Sequence, residues 1–121
     1  MARQVFNCSS CNNRLGNLSQ MLLYQGKQFH TFQNLSGTVF NSFIVKKARL
    51  SVSENSYRDA SWFEGYSWRE ASCFLCGKHI GWAFERDSGE EKERNGEILD
   101  RNDVEKYDEF VLVAIRSIKF Q

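Results

Sequence analysis

All four cysteines of the chain fall into two C-x-x-C pairs, a spacing that suits the binding of one metal ion. The first pair is Cys8 and Cys11, and the second is Cys73 and Cys76. Two residues between thiolates let a tight turn present both sulfurs to the same ion, and two such turns complete a tetrahedral Zn²⁺ site. Because four thiolates leave no position for a water molecule, the pattern predicts a structural zinc rather than a catalytic one.

Disulfides are the competing interpretation of these cysteines. The sequence as given begins without the apolar segment of a secretory signal, which favours a cytoplasmic and/or nuclear protein, where thiols stay reduced. With four sulfurs available, we expect His79 to lie beside the metal site or on the surface rather than to bind the metal. The sequence therefore predicts one zinc ion per chain, held by all four cysteines.

The three tryptophans form a second informative group. Trp62, Trp68 and Trp82 fall within a segment that also contains the second cysteine pair. A buried indole needs a partner for its N–H, so a core gives little reason to concentrate tryptophans in this way. Gly65 predicts a turn between the first two, and the cysteine turn would bring the third beside them. The expected arrangement is a small box with three indole walls.

An aromatic box of this kind suits two classes of ligand. Methylated lysine or another quaternary amine binds through the ring quadrupoles, and a carboxylate usually lies nearby, for which Asp59 and Glu64 are available. A flat neutral ring binds by van der Waals contact, with backbone groups supplying hydrogen bonds at the open end. The residues by themselves leave both classes open.

The elements that position these residues are predicted to be mostly strands. Apolar residues are spaced through residues 39–52 and recur in residues 80–84 and 110–118 with the patterns of buried or half-buried strands. Short helices are expected only within residues 18–24 and 102–107. The fold class predicted from periodicity is therefore mostly β.

Composition limits the class of protein further. The chain has 121 residues, 41% of them hydrophobic, no proline and a net charge of +1, which suits a single domain over residues 1–121. No apolar run approaches the roughly 18 residues of a membrane span. Residues 85–109 carry eleven acidic and five basic side chains, which predicts a solvated, flexible insertion. The basic residues elsewhere are dispersed, so nucleic-acid binding is only a third possibility.

The motifs together resemble the CULT domain, the thalidomide-binding domain of cereblon. The resemblance rests on S-W-F-E-G-Y-S-W at residues 61–68, followed by C-x-x-C-x-x-H-I-G-W-x-F at residues 73–84. The first cysteine pair and the N-L-S-G loop at residues 34–37 fall where that family has its other zinc knuckle and an Asn-Pro-x-Gly loop. The resemblance implies a β-tent, in which two antiparallel sheets are pinned at one end by zinc, as in Yippee-like proteins.

The resemblance also implies a binding module for glutarimide and related cyclic imides, such as thalidomide-type drugs or C-terminal cyclic imide degrons. In the family, three tryptophans enclose the imide, and backbone groups flanking the first of them form hydrogen bonds with it. The implied ligand-binding residues of this chain are Asn34, Ala60, Ser61, Trp62, Trp68, Trp82 and Phe84. The backbone groups would be the Ala60 carbonyl and the Trp62 N–H, with Phe84 at the base and the Asn34 loop above.

The implied role is that of the substrate-recognition domain of a cereblon-type cullin-RING ubiquitin ligase receptor. Contact with the ligase adapter would come from regions outside this chain, and we expect a monomer without a membrane partner. No enzymatic activity is expected, because no thiol remains as a nucleophile once zinc is bound. The chain departs from the family at Ala60, where histidine is frequent, and at Leu35 and Glu64, where proline is expected. The two proline-free loops are therefore expected to be looser.

Overall fold

The fold is mostly β in the part of the chain that the computed structural model describes, residues 4–87 and 103–121. These residues form ten strands in two antiparallel sheets, with three short 3₁₀ helices between them. The strands are β1 (Val5–Cys8), β2 (Arg14–Asn17), β3 (Met21–Leu22), β4 (Phe29–Gln33), β5 (Val39–Val45), β6 (Leu50–Val52), β7 (Tyr66–Cys73), β8 (His79–Arg86), β9 (Glu109–Ala114) and β10 (Ile118–Phe120). The predicted fold class of two antiparallel sheets is confirmed.

The two sheets differ in size, with three strands in one and seven in the other. The small sheet has the order β10-β1-β2, so the two ends of the described chain pair with each other. The large sheet has the order β3-β5-β9-β8-β7-β6, and β4 also pairs with β5. One cysteine pair begins at the end of β1, and the other begins at the end of β7. Each sheet therefore contributes one C-x-x-C turn.

The large sheet buries side chains on both of its faces. On β5, Phe43 and Val45 belong to the core beneath the small sheet, whereas Ile44 belongs to a second, mainly aromatic core. On β9, Val113 and Leu112 divide between the two cores in the same way. Because both faces are covered, the sequences of these strands are nearly continuous apolar runs rather than alternating apolar and polar residues.

A β-bulge determines which face the tryptophan of β8 occupies. The register between β7 and β8 shifts between Ala71 and Ser72, and β8 has one extra residue at that point. Ile80 consequently lies in the core under the small sheet, while Trp82 and Phe84 lie in the aromatic core. An unbroken alternation would have placed all three side chains on one face.

Two of the predicted elements differ in the structure. Residues 18–24, predicted as a helix, form a 3₁₀ turn at Leu18–Gln20 followed by β3. The reason is pairing with β5, which the hydrogen bond from the Lys46 N–H to the Gln20 carbonyl extends. The predicted strand at residues 110–118 is interrupted by a 3₁₀ turn at Ile115–Ser117. The chain crosses from the large sheet to the small one at this turn.

The other helical and charged segments fall within one connection. The helix expected in residues 102–107 is present as a 3₁₀ helix at Asp103–Lys106. Of the acidic insertion predicted for residues 85–109, Glu85 and Glu109 are paired strand residues of β8 and β9, while residues 88–102 lie outside the described residues. Among the described helices, none has the length and apolar character needed to cross a bilayer.

Gly81 provides a test of the close packing between β8 and β9. A Cβ at this position would lie well inside van der Waals contact of the Leu112 carbonyl oxygen, which belongs to the paired strand and cannot rotate away. We expect Gly81→Ala to lower the free energy of unfolding by more than about 3 kcal/mol. The measurement is chemical denaturation followed by far-UV circular dichroism.

Gly26→Ala is the matched control, since nothing lies within 4 Å of its added methyl group and only its φ of +75° opposes the change. That substitution should cost about 1–2 kcal/mol. Equal losses for the two variants would contradict the assigned strand contact.

Candidate ligand-binding cage and zinc centre

The two C-x-x-C turns have the same backbone structure. The N–H of Asn12 donates to the Cys8 carbonyl at 2.9 Å, and the N–H of Gly77 donates to the Cys73 carbonyl at 2.9 Å. Asn12 and Gly77 each follow the second cysteine of their pair, and their φ angles are +66° and +81°. Asparagine and glycine are the residues that most readily adopt this left-handed conformation. Both turns can therefore direct two sulfurs to one side.

The four sulfurs meet at the end of the two sheets. The Sγ atoms of Cys8 and Cys76 are 3.6 Å apart, as are those of Cys11 and Cys73, and all four lie within 4.8 Å of one another. A tetrahedral site with Zn–S bonds of about 2.3 Å requires sulfurs about 3.8 Å apart. The donor set and its dimensions fit zinc, so the predicted zinc cofactor is confirmed, and the structure brings the four predicted ligands together.

The sulfurs differ in how readily they lose a proton. Burial of Cys73 acts to raise its pKa, but hydrogen bonds from the backbone N–H groups of Cys76 and Leu75 and from the thiols of Cys11 and Cys76 together lower the pKa to about 6. For Cys11, a backbone hydrogen bond from Asn13 acts to lower the pKa, but desolvation and the neighbouring thiols together raise it to about 12. Without metal, the cluster therefore holds a thiolate beside protonated thiols.

A cavity of about 710 Å³ opens beside the aromatic core. All seven residues to which the resemblance assigned a ligand-binding role, from Asn34 to Phe84, line this cavity. They come from three places in the fold: the loop after β4, the loop before β7, and the paired strands β7 and β8. The structure therefore brings together residues that are up to fifty positions apart in the sequence.

Aromatic rings form the walls and the base of the cavity. The rings of Trp62 and Trp82 are 5.0 Å apart and nearly perpendicular, at 85°. Phe40 contacts Trp82 in a similar edge-to-face arrangement at 4.9 Å. Trp68 lies against Tyr57, with ring centroids 4.8 Å apart. Each indole is thus supported by another ring, and such contacts fix its orientation.

The indole N–H groups of two tryptophans tie the cage to its loops. Trp62 Nε1 donates to the Gln33 carbonyl at 3.0 Å, and Trp68 Nε1 donates to the Asp59 carbonyl at 2.8 Å. Because these donors are satisfied by the protein, the two rings offer their apolar surfaces to the cavity. The bond to Gln33 also anchors the loop that follows β4.

Asn34 shapes that loop through its own side chain. Its Oδ1 accepts hydrogen bonds from the Ser36 N–H at 3.1 Å, the Ser36 hydroxyl at 2.9 Å and the Thr38 N–H at 2.9 Å. Leu35 lies at the tip of the loop with 92% of its surface exposed. The structure therefore gives Asn34 a positioning role, holding the loop above the cavity without a proline.

The segment before β7 leaves two backbone groups unpaired at the edge of the cavity. Ala60 has a φ of +61°, a left-handed conformation that costs an alanine about 1 kcal/mol. The Ser61 hydroxyl is occupied within its own turn, where it donates to the Phe63 carbonyl and accepts from the Phe63 N–H. Within residues 4–87 and 103–121, the Ala60 carbonyl and the Trp62 N–H have no hydrogen-bond partner.

Sequence reasoning missed an acidic residue in the cavity lining. Glu70 lines the cavity, and the Nε2 atom of His79 lies 2.9 Å from its Oε1, within ion-pair distance but without hydrogen-bond alignment. The available signal was the strand period, since Glu70 follows Trp68 by two residues on β7. Asp59 and Glu64, the acids considered for a cation reader, are absent from the cavity lining in the described part of the chain.

Comparison with known proteins identifies the family. Residues 4–109 match the family described as "Yippee zinc-binding/DNA-binding /Mis18, centromere assembly", and the chain belongs to that family. The chain is also similar to protein cereblon of Gallus gallus and of Xenopus tropicalis, at 39% identity over 54 residues in each case. The matched segment covers 44% of this chain but only 12% of each cereblon. These findings confirm the resemblance to the CULT domain.

Zinc affinity should fall as the pH falls. At neutral pH, Cys73 is already ionised because its pKa is about 6, whereas Cys11, with a pKa of about 12, must lose a proton to bind zinc. For each proton that zinc displaces, the affinity for zinc should become about tenfold weaker when the pH is lowered by one unit. Competition with a chromophoric chelator at pH 6, 7 and 8, corrected for the chelator's own protonation, measures this dependence. An affinity that stays constant across this range would contradict the assignment.

Asn34→Ala should loosen the loop above the cavity. The substitution removes the acceptor of three hydrogen bonds, so we expect the amides of Ser36 and Thr38 to exchange with solvent at least about tenfold faster. Hydrogen exchange followed by NMR measures each amide. Ser36→Ala is the control, because it removes only the hydroxyl contact and should leave Thr38 unchanged. Unaltered exchange in Asn34→Ala would exclude this role.

Proposed function

We propose that this chain is a binding module that captures glutarimide and related cyclic imides in the aromatic cage. The observation that carries the proposal is a pair of backbone groups beside an apolar cavity, the Ala60 carbonyl and the Trp62 N–H, which have no hydrogen-bond partner among the described residues. A cyclic imide has one N–H donor between two carbonyl acceptors. Its N–H would donate to Ala60, and one of its carbonyls would accept from Trp62.

The cage suits the remainder of such a ring. The methylene groups of a glutarimide would lie against the rings of Trp62, Trp68 and Trp82, all of which line the cavity, and neighbouring carbonyls hold the first two rings in place. Burying both the apolar ring and its hydrogen-bonding edge avoids the cost of an unsatisfied polar group. The left-handed Ala60 is consistent with a loop whose strain is retained for ligand binding.

The proposed module binds its ligand without altering it. The four thiols of the chain are ligands of zinc, so none is available for covalent chemistry. The cavity of about 710 Å³ exceeds what a single six-membered ring occupies and falls within the usual range for small-molecule sites. The additional space would accommodate a substituent on the imide, either the rest of a thalidomide-type drug or the protein chain that precedes a terminal cyclic imide.

Similarity to cereblon supports a role in substrate recognition for a cullin-RING ubiquitin ligase. In this proposal the cage selects the degron, and regions outside this chain contact the ligase adapter. The matched segment is 12% of the length of each cereblon, which is consistent with one module of a larger receptor. Such a receptor would act in the cytoplasm and/or the nucleus.

A second candidate ligand is methylated lysine or another quaternary amine. The observation that favours it is Glu70, whose carboxylate lines the same cavity as the three tryptophans. Aromatic faces and a nearby carboxylate both attract a cation. This alternative makes no use of the unpaired donor at Trp62, since a quaternary amine accepts no hydrogen bond.

A fluorescence titration tests the proposed function directly. All three tryptophans of the chain line the cavity, so glutarimide should change the intrinsic fluorescence saturably. Trp82→Ala should abolish the response because it removes one wall of the cage. Trp82 is 7% exposed, so Trp82→Phe serves as a second variant that preserves the core and should weaken binding by about tenfold.

The outcomes separate the two candidate ligands. Saturable binding of glutarimide, with no binding of a trimethyl-lysine peptide, supports the imide. The reverse pattern supports the cation reader. No response to glutarimide at about 1 mM, in a protein shown to contain one zinc per chain, would overturn the proposal.

A further inference from the structure

We infer that Glu70 gives the cage a preference for cyclic imides that carry a positive charge beside the ring. The corresponding natural ligand is a protein C-terminus in which a basic residue precedes the terminal imide. This inference rests on the proposed function of the cage and adds the chemistry of the adjoining residue.

Glu70 lies where a substituent of the bound ring would pass. On β7 it follows Trp68 by two residues, so the two side chains share a face, and across the sheet it is the register partner of Trp82. Its side chain is 51% exposed while still lining the cavity, which places it at the opening rather than at the base. A ring held at its imide edge by Ala60 and Trp62 directs its remaining substituent to such an opening.

No lysine or arginine side chain lies beside Glu70 in the described lining of the cavity. Among the described residues that line the cavity, Glu70 is the one carboxylate. The neighbouring Arg69 is occupied elsewhere: its Nη1 donates to the carbonyls of Ser53 and Glu54 at 3.1 and 2.8 Å, and its Nη2 lies 3.8 Å from Glu85. The field at the opening therefore favours a cationic ligand group.

His79 keeps the carboxylate near the cage. Its Nε2 lies 2.9 Å from Oε1 of Glu70, and its ring packs edge-on against Trp82 at 4.9 Å between centroids. This contact places the carboxylate beside the ring of Trp82. The acid and the aromatic wall therefore form one continuous surface, on which a lysine or arginine side chain can contact both an anion and a ring.

Charge-matched ligands test this inference. The probes are N-acetyl-lysine, N-acetyl-glutamine and N-acetyl-glutamate, each coupled to 3-aminoglutarimide, titrated by tryptophan fluorescence at low ionic strength. The lysine probe should bind about fivefold more tightly than the glutamine probe, and the glutamate probe about fivefold more weakly, as expected for a partly exposed ion pair. In Glu70→Gln the three affinities should converge. Glu64→Gln, which alters an exposed acid outside the cavity lining, should retain the full difference.

Each outcome bears on a different claim. Equal affinities of the three probes for the unmodified protein would overturn the charge preference and leave imide binding intact. Charge preference that persists in Glu70→Gln would assign the effect to another residue and would also overturn the inference. Failure of all three probes and of plain glutarimide to bind would instead overturn the proposed function itself.

Discussion

Coordination of one zinc ion by two C-x-x-C turns is the interaction on which the rest of this structure depends. One turn follows β1 of the small sheet, and the other joins β7 to β8 of the large sheet. Because each sheet contributes one turn, an ion bound by all four sulfurs would link the two sheets. The β7–β8 hairpin carries Trp68, Glu70, Trp82 and Phe84. The metal is thus structural, and it would be bound at one end of the hairpin that carries part of the cage.

The cage combines rigid walls with an unsatisfied edge. Ring contacts and the hydrogen bonds of two indole N–H groups hold the aromatic side chains in one arrangement, which lowers the ordering cost of binding. At the same time, the Ala60 carbonyl and the Trp62 N–H have no hydrogen-bond partner in the described part of the chain, and Ala60 has a strained left-handed backbone. A ligand that complements both features would gain apolar contacts with the walls and hydrogen bonds with these two backbone groups. The position of Glu70 adds an electrostatic contribution at the opening.

Much of the site could be predicted from residue types and spacing. The spacing of Cys8, Cys11, Cys73 and Cys76 predicts a shared metal ion, because two C-x-x-C turns together supply the four thiolates of a tetrahedral zinc site. All seven ligand-binding residues that the family motif implies line one cavity in the structure, and their ligand-binding role stays a prediction. Less could be predicted about the loops. The absence of proline at Leu35 indicated a looser loop, and the sequence did not reveal that the Asn34 side chain would close it with three hydrogen bonds.

The sequence by itself determined the mostly β class, the zinc ligands and the group of tryptophans, since each depends on local pattern or composition. Only the tertiary structure decided which face each strand residue occupies. A single extra residue in β8 separates Ile80 from Trp82 and Phe84, and a 3₁₀ turn at Ile115–Ser117 divides an apparently continuous strand between two sheets. Such outcomes depend on strand register and on contacts between distant segments, which no local pattern encodes.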